Sequence, residues 1–289
     1  MPNRPLRAAA FSLFALFPLA AGEDQPSDLH LSGFFSEGWD QPWSHRERDT
    51  PDMALLKVTT NFLEREFRLD ASRTDVRGNS AYDATDFANG LIAYGVNRRF
   101  MIEVISNYQW NRDGRGVVAS GSGGGALARF QLVDTATRSV SFQLKVAPPD
   151  KGIGQTQTSL SYGLAAWQDL GAILPALGRT GLYGSVQYED LKGPAKPGAR
   201  TRAAAADVSL AHTWTESGRR SFRNFTTFLE AYAGRDLDGP NGGQTVASLT
   251  PGLRTWFGRK HSLTLGEELP LGQAGAFYRV ARLTYIYNF

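Results

Sequence analysis

The chain of 289 residues has no cysteine, three methionines and four histidines, and its 31 basic residues nearly balance its 28 acidic ones. Each shortage removes a class of function. Without cysteine there is no disulfide framework and no thiolate-bound metal or cluster. With so few histidines, a nucleophile activated by a histidine base has few places to form. Long apolar runs are also missing: the longest, residues 8–21, is shorter than the ~20 residues of a membrane-crossing helix, so a bundle of such helices is excluded. What is present is aromatic surface, with 17 Phe, 10 Tyr and 6 Trp, far more than a solvated disordered chain carries. A soluble globular protein and a membrane β-barrel remain, the barrel being the membrane architecture whose sequence averages out as hydrophilic.

The N-terminus reads as an export signal. Arg4 and Arg7 precede an apolar stretch from Ala8 to Leu19, and Ala20-Ala21-Gly22 supplies the small residues of a cleavage site. Cleavage after Gly22 is expected; the alternative, an uncleaved anchor helix, has a short run interrupted by Pro18 against it. Loss of two arginines leaves 29 basic against 28 acidic residues, a net charge of +1. That balance removes the main argument for a nucleic-acid partner. No cofactor or metal is implied by the residues.

Beyond residue 57 the dominant period is 2, the mark of strands with two unlike faces. Val140, Phe142, Leu144 and Val146 alternate with Ser141, Gln143 and Lys145; Leu182, Gly184, Val186 and Tyr188 alternate with Ser185, Gln187 and Glu189. Twelve such segments are predicted, at 58–73, 86–94, 100–110, 126–134, 139–147, 156–168, 180–189, 203–214, 222–234, 244–256, 261–270 and 276–289. Most approach the ~9–11 residues of a tilted transmembrane strand. The intervening stretches largely alternate long and short, as in outer-membrane barrels with short periplasmic turns and longer external loops. On that scheme 95–99, 135–138 and 257–260 are periplasmic turns, and Gly121–Gly125 and Pro194–Gly198 lie on external loops.

A soluble β-sandwich would also alternate, but it would gather its aromatics mid-strand. Here many stand at predicted strand ends. Tyr94, Phe100, Trp167, Tyr183, Trp214, Phe222, Trp256 and Phe257 fall at one rim, and Tyr108, Trp110, Tyr188, Tyr232, Phe277 and Tyr278 at the other. Two aromatic belts suit a barrel in a bilayer. The last segment ends with Leu283, Tyr285, Tyr287 and Phe289 on one face. This resembles the C-terminal signature of bacterial outer-membrane proteins, which implies recognition by the barrel-assembly machinery. The fold expected is all-β: an antiparallel up-and-down transmembrane barrel of about twelve strands over residues 58–289, in the outer membrane of a Gram-negative envelope and surrounded by its lipid.

A narrower resemblance rests on Thr85-Asp-Phe-Ala-Asn-Gly-Leu-Ile-Ala-Tyr-Gly95 with Phe100-Met-Ile-Glu-Val, and on Leu269-Pro-Leu-Gly272 before the closing strand. These blocks, about a fifth of the chain, resemble porin-like barrels labelled for the meta-pathway of phenol degradation. The resemblance implies passage of small solutes across the outer membrane. It implies no phenol chemistry.

Parity then selects the lumen. Even positions of the first segment give Glu64, Glu66, Arg68 and Asp70, and the polar faces of the others add Glu103, Arg129, Lys145, Asp207, Glu230, Arg254, Glu268 and Arg282. Charges of both signs suit a water-filled, weakly selective channel; in a narrow barrel they would instead pair and close it. Residues 23–57 carry Trp39 and Trp43 beside His45, Arg46, Glu47, Arg48 and Asp49. They read as a plug with both tryptophans in the barrel mouth, as a periplasmic leader, or as an extra strand at 29–36. An enzyme finds little support: His30 and His45 precede the barrel, His212 is expected at the lipid face beside Trp214, and His261 opens a strand beside Lys260. A channel for an unidentified small solute is therefore the expected function, with a structural or adhesive barrel as the alternative.

Overall fold

A computed structural model describes residues 26–46, 56–76, 81–152, 156–193, 200–214, 222–240, 242–258, 260–272 and 277–289. The expected signal peptide and the Pro194–Gly198 loop lie outside the described residues. Twelve strands follow one another: β1 (Arg65–Val76), β2 (Ala84–Gly95), β3 (Phe100–Asp113), β4 (Gly116–Asp134), β5 (Arg138–Ala147), β6 (Thr158–Asp169), β7 (Thr180–Lys192), β8 (Arg202–Thr213), β9 (Phe222–Asp236), β10 (Thr245–Phe257), β11 (His261–Leu271) and β12 (Phe277–Asn288). Each pairs antiparallel with its neighbours in sequence, and β1 pairs with β12 from Glu66↔Asn288 to Val76↔Phe277, so the sheet closes into a barrel. Closure leaves no sheet edge in the bilayer, which a spanning sheet requires.

The distribution of polarity is the reverse of a soluble core. Apolar residues of one parity are exposed on strand after strand, among them Leu69, Ile92, Val104, Leu144, Leu164, Val186, Leu210, Leu229, Leu265 and Leu283. The opposite parity is buried and polar: Ser141, Gln143, Ser209, Thr226, Thr250, Ser262 and Thr284 all lie inside. A soluble protein does not present an apolar belt around its whole circumference, whereas lipid is the solvent such a belt needs. No helix among the described residues is long and apolar enough to cross a membrane; the strands form the crossing.

Aromatic rings gather near both rims. At the end where β1 begins and β12 finishes, termed the periplasmic end, Phe100 and Phe130 lie 5.1 Å apart, His212 and Trp214 4.6 Å, and Tyr287 and Phe289 6.5 Å. At the other end Tyr108 meets Trp110 at 4.5 Å, and Tyr162 meets Tyr188 at 5.2 Å. Trp167 and Tyr183, placed by sequence at a rim, point inward and are buried.

Three expectations are corrected. The first strand begins at Arg65 rather than at residue 58, because the amides of residues 56–58 bond to a side chain in the lumen instead of to a neighbouring strand. The glycine run Gly121–Gly125 is not a loop: it lies within β4 and pairs with β3 from Gln109↔Gly121 to Ile105↔Gly125. A full partner strand holds those glycines extended, overriding their intrinsic freedom. Residues 29–36 do not add a strand. Leu29 makes one antiparallel bridge to Asp134, and hydrogen-bonded turns from His30 to Glu37 follow, so the count stays at twelve.

Candidate functional site: an occupied lumen

Two parts of the N-terminal region meet the barrel in different places. Residues 26–46 clasp the periplasmic turns. The guanidinium of Arg99, in the β2–β3 turn, is fully buried and donates to the carbonyls of Glu37 (2.7 Å), Gln131 (2.9 Å), Leu132 (2.9 Å) and His30 (3.0 Å). Arg46 donates to the carbonyls of Pro26 and Ser27 at 2.6 and 2.9 Å and pairs with Asp28 at 3.0 Å. Arg98 reaches Ser27 and Gln41, each at 3.1 Å. An arginine fork satisfies several carbonyls at fixed angles, so these three side chains set the clasp against the rim.

The two expected plug tryptophans differ in position. Trp43 lies over the lumen face at the mouth: its Nε1 donates to the Leu63 carbonyl at 2.9 Å and its ring sits 4.8 Å from the Arg65 guanidinium. A Cβ at Gly95 would fall 2.1 Å from that ring, so the approach requires glycine. Trp39 is on the outer side of the rim, 6.5 Å from the lipid-facing Phe130 and 5.6 Å from Phe34.

Residues 56–64 run inside the barrel. The Glu230 carboxylate accepts the amides of Leu56 (3.1 Å), Lys57 (3.1 Å) and Val58 (3.4 Å). The Lys57 ammonium bonds to Glu268, meets Ser248 Oγ at 3.3 Å and lies 3.6 Å from the centre of the Tyr232 ring. Gln187 donates to Thr59 Oγ1 at 2.5 Å, and Arg129 donates to the Phe62 carbonyl at 2.9 Å. Leu56, Val58 and Phe62 pack with Trp167, Tyr183, Ala211 and Phe228, with Phe62 and Trp167 edge to face at 5.6 Å. Leu56 also crosses β11 where a Cβ at Gly266 would meet its Cδ1 at 2.4 Å.

The charged residues chosen by parity have strand positions on the lumen side, except Glu64, which precedes β1, and they fall into separate groups. Glu66, Arg68, Glu103, Arg129 and Arg254 interact electrostatically in the periplasmic half. Arg68 pairs with Asp70 at 2.7 Å, and Asp70 also accepts from Asn89 at 3.1 Å and from Thr284 at 2.5 Å. Glu268 joins Lys57, Ser248 and Arg282 higher up. Asp207 accepts from Ser185 at 2.7 Å, and Glu64 stands near the mouth, 4.0 Å from His45. Lys145 lines two cavities described below. Leu283, Tyr285, Tyr287 and Phe289 sit on β12 and just after it; His261 bonds Tyr285 at 2.7 Å, and the Phe289 amide donates to the Arg65 carbonyl at 3.0 Å.

Sequence reasoning missed Lys57, Thr59, Tyr232 and Ser248 as lumen partners. Tyr232 and Ser248 have lumen parity, which was the available signal; nothing local marks Lys57 as a residue that enters the barrel. Gln187 and Glu189 were on a recognised polar face.

Two chambers flank the inserted segment. The outer one, about 640 Å³, is bounded by Lys145, Glu189, Arg200, Asp207, Tyr232 and Asp236 among others. The inner one, about 330 Å³, is bounded by Arg68, Asp70, Glu103, Asn107 and Arg129 together with residues 56–60. Below them the lumen is filled by Phe62, Trp167, Tyr183 and the buried charges. The arrangement places a polar vestibule above an occupied periplasmic half.

An outer-membrane channel from Pseudomonas putida F1 superposes with a TM-score of 0.52 at 10% identity, over 85% of this chain and 100% of that one. The fold is that of a bacterial outer-membrane β-barrel. The KdgM porin (TM-score 0.46, 10% identity, 78% of this chain and 99% of that one) and the NanC porin (0.49, 8%, 77% and 98%) are further neighbours. No family model matches the chain, and no curated protein matches it either. The outer-membrane location follows from this fold together with the apolar belt. Of the histidines, His212 faces lipid and bonds Thr180, and His261 stacks near Tyr287.

Proposed function

We propose that this outer-membrane barrel is a gated channel for small polar solutes, closed in the described state by residues 56–64. The observation that carries the reading is the insertion itself: a short segment held by polar contacts to Glu230, Glu268, Gln187 and Arg129 between a polar vestibule and the periplasmic half. The apolar cluster of Leu56, Val58 and Phe62 seats the segment, and a permanent seal would not need the polar anchors beside it, since buried ion pairs gain little over hydrophobic substitutes. Side-chain contacts to a strandless segment can be exchanged for water one by one. The clasp at residues 26–46 keeps the segment near the mouth when it leaves. Glu64, Glu66, Arg68, Asp70, Glu103, Arg129, Lys145, Asp207, Glu230, Arg254, Glu268 and Arg282 would line the open path, and the terminal aromatic row would serve barrel assembly. The chemistry is passage, not catalysis.

The test is conductance of the purified barrel in a planar bilayer. Wild type is expected to be mostly closed with rare steps, and deletion of residues 56–64 to give a sustained open level. Absence of conductance in both would remove the channel reading and leave a structural or adhesive barrel. The narrower resemblance to the phenol meta-pathway barrels is compatible with a channel and names no solute.

A further inference from the structure

The two chambers have only four boundary residues in common: Lys57, Lys145, Ser161 and Gln187. All four can donate a hydrogen bond, two are ammonium groups, and neither carboxylate set is shared. Glu189, Asp207 and Asp236 border only the outer chamber, whereas Glu66, Asp70 and Glu103 border only the inner one. The residues at which the chambers adjoin are therefore all donors, although the lumen as a whole carries both signs.

The four differ in how far they are engaged. Lys57 is held by Glu268 and Ser248, and Gln187 by Thr59 and, at 3.5 Å, Ser185. Ser161 shares a 3.2 Å contact with Ser159. Lys145, half-buried on β5, has no hydrogen bond or ion pair among the described residues. Most other cations along the lumen are committed: Arg68 to Asp70, Arg129 to a carbonyl, Arg254 to Ser262, Arg282 to Glu268, and Arg200 to both Glu189 and Asp236; Arg235 borders the outer chamber alone. A half-buried ammonium where two chambers adjoin acts on passing ions more strongly than an exposed surface charge.

We propose that this junction is a binding and selectivity site for the carboxylate of a small organic acid, with Lys145 as its principal counter-ion. The inference rests on the channel reading and names its solute class. Lys145 supplies a point charge and Ser161 and Gln187 supply neutral donors, all on barrel strands that stay in place when residues 56–64 leave; Lys57 adds its ammonium only while that segment is seated. Ala203, Ala205, Val246 and Phe277 in the outer chamber face the carbon body of such a solute. Arginine, the preferred bidentate partner of phosphate, does not border both chambers.

Two measurements on the full chain test this. In a bilayer under a salt gradient, wild type is expected to favour anions and Lys145→Glu to move the reversal potential toward cations, while Lys145→Arg stays near wild type. An unmoved potential in a conducting Lys145→Glu channel overturns the proposal while leaving the channel reading intact. Binding of succinate to the detergent-solubilised barrel, followed by calorimetry, is independent of conductance. Lys145→Met should weaken it about tenfold, near the ~1.4 kcal/mol scale of one charge-assisted contact, and Lys145→Arg should retain it. Equal succinate affinity in wild type and Lys145→Met, or no succinate binding by either, overturns the site even if the barrel never conducts. Heat-modifiable migration on gels verifies that each variant is folded.

Discussion

Single carboxylates do the holding in this barrel. Glu230 accepts three successive amides from residues 56–58, and it is 1% exposed. Glu230→Gln keeps the shape but exchanges a charged acceptor for a neutral amide, at a loss of about 2 kcal/mol of anchoring. The ratio of open to closed time in bilayer recordings should then rise roughly thirtyfold; unchanged open time would show that the segment is held elsewhere. Asp238 does comparable work at the outer rim. It accepts from Thr201 Oγ1 (2.5 Å) and N (2.7 Å) and from Arg202 N and Nε (3.0 Å each). The Thr201 hydroxyl first, then the amides and Arg202, hold its carboxyl well below the usual carboxylate range. Because the folded value lies below the unfolded one, this contribution is complete above the ordinary carboxylate range and fades only as pH falls through the depressed value. Limited proteolysis at residues 237–240 should be flat from neutral pH down to about pH 4, while Asp238→Asn should be cut faster throughout that range.

At the scale of elements, the clasp depends on Arg99 and on one glycine. Arg99→Lys keeps the charge but replaces a five-donor fork with a point donor, so it should release residues 26–46 to protease almost as fully as Arg99→Ala. Gly95→Val should do the same from the other side, since its first carbon already overlaps the Trp43 ring. Equal protection of wild type and Gly95→Val would show that Trp43 does not seat the clasp. The strands themselves were legible in the sequence because lipid outside and water inside impose a period of 2 on every crossing. Val140 to Val146 reads unambiguously for that reason. Two elements were not legible for opposite causes. Residues 58–64 carry strand-like apolar residues, yet Val58 and Phe62 bury them against Trp167 and Phe228 across the lumen. Gly121–Gly125 has the composition of a loop, yet its register with β3 keeps it extended. For residues 58–64 the deciding partners are distant in sequence, and for the glycine run the partner is the preceding strand, which the composition of the run itself does not reveal. The candidate site shared this division: strand parity selected the charged wall, but the separation of that wall into groups depends on where residues 56–64 enter.

For the molecule as a whole, the consequence is an axial asymmetry: a polar chamber on the side of the external loops and a lumen filled toward the periplasm. The absence of cysteine makes this directly measurable, since any introduced thiol is the only one. Gln244→Cys borders the outer chamber, whereas Thr226→Cys lies on the lumen face of β9 beneath residues 56–58, at a position that is 0% exposed. A membrane-impermeant maleimide added to intact cells should label Gln244→Cys within the normal reaction time and leave Thr226→Cys unmodified. Deletion of residues 56–64 should then admit the reagent to Thr226→Cys, because the cluster of Leu56, Val58 and Phe62 that excludes it has been removed. Combining Thr226→Cys with Glu230→Gln should give an intermediate labelling rate that tracks the open fraction seen electrically, since both report the same displacement of the segment. Rapid labelling of Thr226→Cys in the otherwise unaltered barrel would mean that the lumen is already open from outside to periplasm, and that residues 56–64 line the path without blocking it.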